Sequence, residues 1–187
     1  MKKILFIYLI IISNNILGQS LNSLDLKNGF RNFKFGTSPN QIKNIVKQKQ
    51  QASKNPNVVV YDYIGDEIDN ISNVKVDKVS LSFFKNKLFN IGVSFGNILE
   101  SKDFELYEYN NILAALENTY SKKWVEPSNK DGIILNGAIW DAKNIRFELM
   151  RIDFSKSYTN PKNYGIISGY INVFDKKLTN EMYSSDF

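Results

Sequence analysis

The sequence of 187 residues contains no histidine, and this absence limits the chemistry that the protein can perform. It excludes Ser-His-Asp triads, Cys-His pairs and histidine-ligated zinc sites. It also removes the side chain that most often acts as a general base near neutral pH. An enzyme built from this chain would need carboxylates, lysine, tyrosine, serine or an oxygen-ligated metal. We therefore predict no catalytic residues, no metal site and no cofactor.

Cysteine is also absent, so no disulfide bond can stabilise the fold. An exported protein of this composition would depend on core packing instead. Hydrophobic residues make up 43 % of the chain and aromatic residues 13 %, which is typical of a globular domain with a sizeable core. The chain also lacks the cysteine that carries the lipid in bacterial lipoproteins.

The longest apolar run at the N-terminus, residues 4–12, is well short of the roughly 20 residues that span a bilayer. Lys2 and Lys3 precede this run, and a polar stretch and the small residue Gly18 follow it. This layout is typical of a secretory signal peptide over residues 1–18, and an uncleaved anchor is the alternative. We expect export to the periplasm or secretion from a bacterial cell, with no stable membrane anchor after cleavage.

Charge gives little indication of a polyanionic partner. Loss of Lys2 and Lys3 with the signal would lower the formal net charge from +5 to +3. The remaining lysines are scattered among acidic residues, whereas a nucleic-acid-binding protein would carry a basic stripe. We expect no nucleic-acid partner.

A strand-turn-helix pattern occupies residues 30–46. Aromatic residues alternate before a turn, Ser38 and Gln41 can form a capping box, and Pro39 suits a first helical position. The pattern predicts a helix over residues 39–50. Residues 19–29, before it, are expected to be a flexible lead-in.

Hydrophobic periodicity predicts most of the remaining elements. The predicted strands are residues 58–64, 79–83, 89–95, 133–141, 144–154 and 164–174, and the predicted helices are residues 102–120 and 178–182. This order indicates an α+β protein with a tandem α-β-β-β layout, in which two main helices pack on an antiparallel sheet. We expect a single domain over residues 30–187, which would divide into halves 30–97 and 98–187.

The Phe35-Gly36-Thr37-Ser38 turn after the aromatic-rich strand resembles the opening of many uncharacterised exported bacterial proteins. The general layout is similar to the modules of outer-membrane assembly lipoproteins and of tandem-repeat β-lactamase inhibitor proteins. The resemblance implies a fold used for protein binding, and it carries over no active site. The chain departs from the lipoproteins by lacking the lipidated cysteine.

Three groups of residues suggest chemistry, and each has a plainer interpretation. The acidic cluster Asp66, Glu67, Asp69 and Asn70 has oxygen ligands for calcium, but its spacing is not that of an EF-hand, and a solvated turn explains it. Two Ser-x-x-Lys matches, Ser72 to Lys75 and Ser82 to Lys85, fall in strand patterns, where residues three apart point to opposite faces. The third group comprises carboxylates that a glycosidase-like site could use: Asp141, Glu148 and Asp153. Charged residues on the outer face of a half-buried strand are the plainer interpretation of this group.

Aromatic residues on the predicted strands indicate a different kind of site. Most of them must be core, but an exposed aromatic sheet face would suit a protein or glycan partner. The candidate binding residues are Tyr61, Tyr63, Phe84, Trp124 and Trp140. We predict an exported, non-catalytic binding module for another envelope or secreted protein, of the inhibitor or immunity type. The alternatives are a small carboxylate-dependent envelope hydrolase and a purely structural component.

The signal-peptide interpretation predicts the mature N-terminus. Expression of the full chain in a bacterial host should yield an exported protein that begins at Gln19, because signal peptidase cuts after a small residue such as Gly18. N-terminal sequencing of the periplasmic fraction and of the medium checks this. A protein that retains Met1 in the membrane fraction would instead support the uncleaved anchor.

Overall fold

A computed structural model describes residues 20–51, 53–97, 99–129, 132–156 and 165–185. The elements of the first part of the chain are α1 (Leu21–Lys27), β1 (Gly29–Phe30), β2 (Phe33–Lys34), a 3₁₀ turn (Pro39–Gln41), β3 (Ile45–Lys47), β4 (Val58–Tyr63), β5 (Asn70–Ile71), β6 (Val74–Lys75), β7 (Lys78–Phe84) and β8 (Lys87–Phe95). Those of the second part are α2 (Leu106–Tyr120), β9 (Ile134–Asp141), β10 (Ile145–Asp153), a 3₁₀ turn (Phe154–Lys156), β11 (Ile167–Asp175) and α3 (Lys176–Ser184).

Seven of the strands form one antiparallel sheet in the order β3-β4-β7-β8-β11-β10-β9. Two small hairpins, β1-β2 and β5-β6, lie outside it. The predicted α+β class and antiparallel sheet are confirmed. The strands of the first part run from one edge to the centre and those of the second part from the other edge, so β8 and β11 meet in the middle.

Local turn chemistry fixes the hairpin between β7 and β8. Lys85 and Asn86 both have positive φ, 48° and 61°, as the two central residues of a type I′ turn require. The register of the two strands shifts after Ser82, so Phe89 is an extra residue on β8. This bulge turns Phe89 to the face of the sheet that Phe84 also occupies.

The main core lies on one face of the sheet, beneath α1, α2 and the two small hairpins. Alternate strand residues point into it, as the period of two predicts. Phe147 of β10 is at its centre, and its ring lies 5.7 Å from that of Phe30, 5.5 Å from Tyr120 and 5.9 Å from Trp140. These rings bring residues from four separate elements together, so the core depends on contacts that are distant in sequence.

The predicted flexible lead-in contains a packed helix instead, and this corrects the expectation for residues 19–29. Leu24 of α1 is fully buried in the main core. The Asp25 carboxylate accepts hydrogen bonds from the backbone N–H groups of Lys143, Asn144 and Ile145, at 3.1, 2.9 and 2.9 Å. These bonds tie α1 to the turn between β9 and β10.

The predicted helix over residues 39–50 is wrong. Only the 3₁₀ turn Pro39–Gln41 forms, with the expected Ser38 N–H to Gln41 Oε1 bond at 3.0 Å. Ile42 is extended and Asn44 has a φ of 57°, so the helix cannot continue. The β-branched residues that follow form β3, an edge strand paired with β4. The first helix of the predicted tandem layout is therefore replaced by α1, earlier in the chain.

The other predicted elements form with small shifts at their ends. The second helix begins at Leu106 rather than near Lys102, and the N–H of Glu105 donates a hydrogen bond to the Glu108 carboxylate at 2.9 Å. The last predicted strand begins at Ile167, and its predicted start at residue 164 lies outside the described residues.

Helix α3 covers one end of the opposite face of the sheet. Its Leu178 and Met182 pack against a second, smaller cluster of buried residues: Val58, Val60, Phe84 and Phe89. The Asp175 carboxylate caps the helix by accepting a bond from the Leu178 N–H at 2.8 Å. The remainder of this face has no helix over it among the residues that the structure describes.

Two leucines of α1 provide a matched test of this packing. Leu24→Ala should lower the free energy of unfolding by about 2–5 kcal/mol, because Leu24 is 0 % exposed and its loss leaves a cavity. Leu26→Ala should change it by less than about 0.5 kcal/mol, because Leu26 is 86 % exposed. Denaturant unfolding of both variants measures the difference. Equal effects would show that α1 is not packed as described.

Candidate binding groove

A groove of about 650 Å³ runs along the part of the sheet that α3 leaves open. Its floor is formed by alternate residues of the central strands β7 and β8, namely Ser80, Ser82, Gly92 and Ser94. A Cβ atom at Gly92 would lie 2.8 Å from Ser80 Oγ, so any larger residue there would push into the floor. The groove therefore exists because small side chains occupy the middle of a sheet.

One wall of the groove is largely apolar. It comprises side chains of β10, β11 and the 3₁₀ turn between them: Met150, Ile152, Phe154 and Tyr170. The rings of Phe154 and Tyr170 pack edge to face with their centroids 5.9 Å apart. Edge-to-face packing restrains both rings, so this wall offers a fixed aromatic surface.

The charged groups beside the groove are paired. On one side Lys78 Nζ lies 2.9 Å from Asp62 Oδ1, and Gln48 donates a hydrogen bond to the same carboxylate. On the other side Arg146 Nε lies 2.8 Å from Glu148 Oε1. Each pair cancels its own charge, so the described residues beside the groove give it no net charge to attract an ionic ligand.

Three of the five candidate aromatic residues lie on the face that is opposite the groove. Tyr61 and Tyr63 share the main-core face, as their alternation around Asp62 predicts, and their rings pack against Phe83 and Phe33 at 5.3 and 5.0 Å. Trp140 is 0 % exposed, and its Nε1–H donates to the Ser121 carbonyl at 2.8 Å. Trp140 is a core residue rather than part of a surface.

The other two candidates do not complete an exposed aromatic face. Phe84 faces away from the main core as expected, but α3 covers it and it is 1 % exposed. Trp124 is half-buried against the main core and donates a bond to Glu117 Oε1 at 2.9 Å. The expectation of an exposed face is thus wrong for Tyr63, Phe84 and Trp140, which are all buried, and the structure does not bring the five residues together.

The residues that line the apolar wall were missed by the sequence reasoning. The sequence does contain an indication of this wall. Met150 and Ile152 belong to the same alternating row of β10 as the charged residues Arg146 and Glu148, and this row faces away from the main core. Two large apolar residues on an outward-facing row indicate an uncovered apolar strip.

The carboxylates and serines singled out for chemistry are separated or engaged. Asp141 pairs with Lys176 Nζ at 3.0 Å, and Asp153 accepts bonds from the N–H and hydroxyl of Ser155. Glu148 alone lines the groove. The Lys85 ammonium lies 5.0 Å from the Phe84 ring centroid, and no hydrogen bond joins it to Ser82 within the described part of the chain.

The acidic cluster has a structural use in the turn after β4. The Tyr63 hydroxyl donates a hydrogen bond to Glu67 Oε2. Among residues 20–51, 53–97, 99–129, 132–156 and 165–185, no three acidic side chains are grouped so that they could hold a metal ion. No helix in these ranges is long and apolar enough to cross a membrane.

Comparison of this chain with models of protein families, with curated proteins and with solved structures finds no match. The resemblance to exported proteins and to inhibitor or assembly modules therefore stays a prediction. The groove must be interpreted from its own residues.

The bond between Tyr63 and Glu67 predicts a titration effect. It raises the pKa of the Tyr63 hydroxyl to about 12 from an ordinary value of 10.0, with burial and the charges of Glu67 and Asp66 adding to it. Glu67→Gln should return the pKa towards 10.0, because the amide carries no charge and accepts a weaker bond. Asp66→Asn, the control, should lower it much less.

The sign of the accompanying stability change follows from the raised pKa. The folded state holds the proton more tightly, so this contribution to stability is fully present below pH 10.0 and is lost as the pH rises through about 12. NMR titration of the Tyr63 ring carbon measures the pKa in each variant. A pKa that stays at about 12 in Glu67→Gln would contradict the assigned cause.

Proposed function

We propose that this chain is an exported, non-catalytic binding module of the bacterial envelope that holds another protein in the groove. The single observation that supports this most is the half-buried apolar wall of Met150, Ile152, Phe154 and Tyr170, which lines a groove that no described helix covers. Soluble domains rarely leave a contiguous apolar strip open unless it binds something.

The composition of the groove supports a protein rather than an ionic small molecule as its occupant. Aromatic residues and methionine are enriched in the buried centres of protein interfaces. Paired charges such as Lys78 with Asp62 and Arg146 with Glu148 are typical of the polar rim around such a centre. The partner would present an apolar or aromatic side chain without a charge of its own.

The shape of the groove supports a protruding segment of the partner. The small floor residues Ser82, Gly92 and Ser94 leave room above the sheet for one large side chain against Tyr170. The floor and one wall belong to hydrogen-bonded strands, so the site is formed before the partner arrives and little ordering entropy is lost.

A non-catalytic role agrees with the chemistry beside the groove. Glu148 is the one carboxylate among the described residues that line the groove, and Arg146 engages it. Asp153 lies on the row of β10 that faces the main core. A glycosidase-like mechanism needs two carboxylates on either side of one bond. An inhibitor or immunity protein needs only a complementary surface.

The groove can be blocked without disturbing the core. Ser94→Arg places a long, charged side chain on the groove floor, and we expect it to weaken partner binding by about tenfold or more because it fills the site and buries an unpaired charge. Ser128→Arg, the matched control on an exposed loop, should bind as the wild type does.

Immobilised wild-type protein, incubated with an envelope extract at physiological salt, captures the partner for identification. Binding of the purified partner to all three proteins is then measured by calorimetry, and thermal unfolding checks that the variants are folded. The proposal fails if no partner is captured. It also fails if Ser94→Arg binds the purified partner as tightly as Ser128→Arg does.

A further inference from the structure

Three cationic side chains lie beside the C-terminal end of α1. Lys27 ends α1, Arg31 lies in the turn of the β1-β2 hairpin, and Lys34 belongs to β2. Lys27 Nζ and Arg31 Cζ each lie 5.9 Å from the centroid of the Phe30 ring, and Lys34 Nζ donates to the Lys27 carbonyl at 2.6 Å. None of the three forms an ion pair with a carboxylate among the described residues.

The three positive charges repel one another, so the cluster is electrostatically unfavourable without a bound anion. Burial lowers the pKa of the Lys27 ammonium, and the charges of Arg31 and Lys34 lower it further. Two of the cations have a local explanation, since Lys27 and Lys34 lie at the negative end of α1. The contacts of Arg31 among the described residues are long ones: its guanidinium lies over the Phe30 ring and donates to the Asn70 carbonyl at 3.4 Å. Its φ of 52° is uncommon for a residue with a side chain.

The side chain of Tyr120 adjoins the same cations. Tyr120, at the end of α2, is 2 % exposed, and Lys27 Nζ lies 5.9 Å from its ring centroid. Burial raises the pKa of Tyr120 to about 12, and the positive charge of Arg31 opposes that rise. Within the described part of the chain the Tyr120 hydroxyl has no hydrogen-bond partner. It is therefore a neutral donor without an acceptor.

We propose that Lys27, Arg31 and the Tyr120 hydroxyl bind a phosphate group. A guanidinium donates two parallel N–H bonds to phosphate oxygens, the ammonium supplies a second positive charge, and the phenol supplies an O–H donor. A bound dianion would turn the mutual repulsion of the cations into attraction. This site is separate from the groove and does not depend on the function proposed for it.

The phosphate could belong to a free phosphate compound or to a phospholipid headgroup. Leu26 distinguishes the two sources, because this leucine precedes Lys27 and is 86 % exposed. An exposed leucine next to basic residues would enter the acyl boundary of a membrane but would not touch a free phosphate.

The first arm of the test uses pyrophosphate in solution. Wild-type protein at constant ionic strength is titrated with pyrophosphate to about 10 mM, and we expect its unfolding temperature to rise by about 3 °C. Arg31→Gln should abolish the rise, whereas Lys47→Gln, which removes an exposed lysine of β3, should retain it.

The second arm uses vesicles of phosphatidylcholine, with and without phosphatidylglycerol. A lipid source predicts co-sedimentation that requires phosphatidylglycerol, is lost in Arg31→Gln and falls about tenfold in Leu26→Ser, which keeps the pyrophosphate response. A free source predicts the pyrophosphate response without vesicle binding. The proposal is overturned if wild-type protein responds to neither probe, or if Arg31→Gln responds as the wild type does.

Discussion

The pairing of β8 with β11 is the interaction on which the rest of the sheet depends. It joins Asn90–Phe95 to Gly169–Phe174 and thereby connects the strands of the two parts of the chain. At its centre Ile91 faces Val173 and Val93 faces Ile171, all buried in the main core. Closing the long loop of chain between β8 and β11 costs conformational entropy, and the burial of these four side chains offsets that cost. Without this pairing, neither the continuous core face nor the groove, which spans β7, β8, β10 and β11, could exist.

The two faces of the sheet differ in the side chains that their central strands carry. On the core face the central rows carry branched and aromatic residues, and α1 and α2 cover them. On the opposite face the middle of β7 and β8 carries serine, glycine and asparagine, which give a helix little apolar area to bury. Helix α3 therefore packs only at the end where Phe84 and the bulged Phe89 supply that area. The groove is what remains, and its openness follows from the residue types of β7 and β8.

Alternation within strands could be predicted from the sequence because it depends on neighbours two positions apart, as for Val79, Leu81 and Phe83. Helix α1 could not be, because Asp25 finds its partners 118 to 120 residues later in the chain. The groove was missed for a related reason. The pattern shows that Phe84 and Met150 leave the main core, but it does not show that α3 covers only Phe84. Local periodicity gives the side of the sheet, and tertiary structure decides whether that side is open.

The groove and the cationic cluster beside α1 differ in whether their charged side chains are paired. Beside the groove, Lys78 and Arg146 each have a carboxylate within 3 Å, so a charged ligand would have to displace an existing partner. Beside α1, Lys27 and Arg31 have no carboxylate to displace among the described residues, and the Tyr120 hydroxyl has no hydrogen-bond acceptor among them. An anion would thus gain far more at the second surface than at the first, whereas an apolar side chain would gain most against Tyr170 and Met150. The two surfaces are suited to different ligands, and occupancy of one leaves the other free.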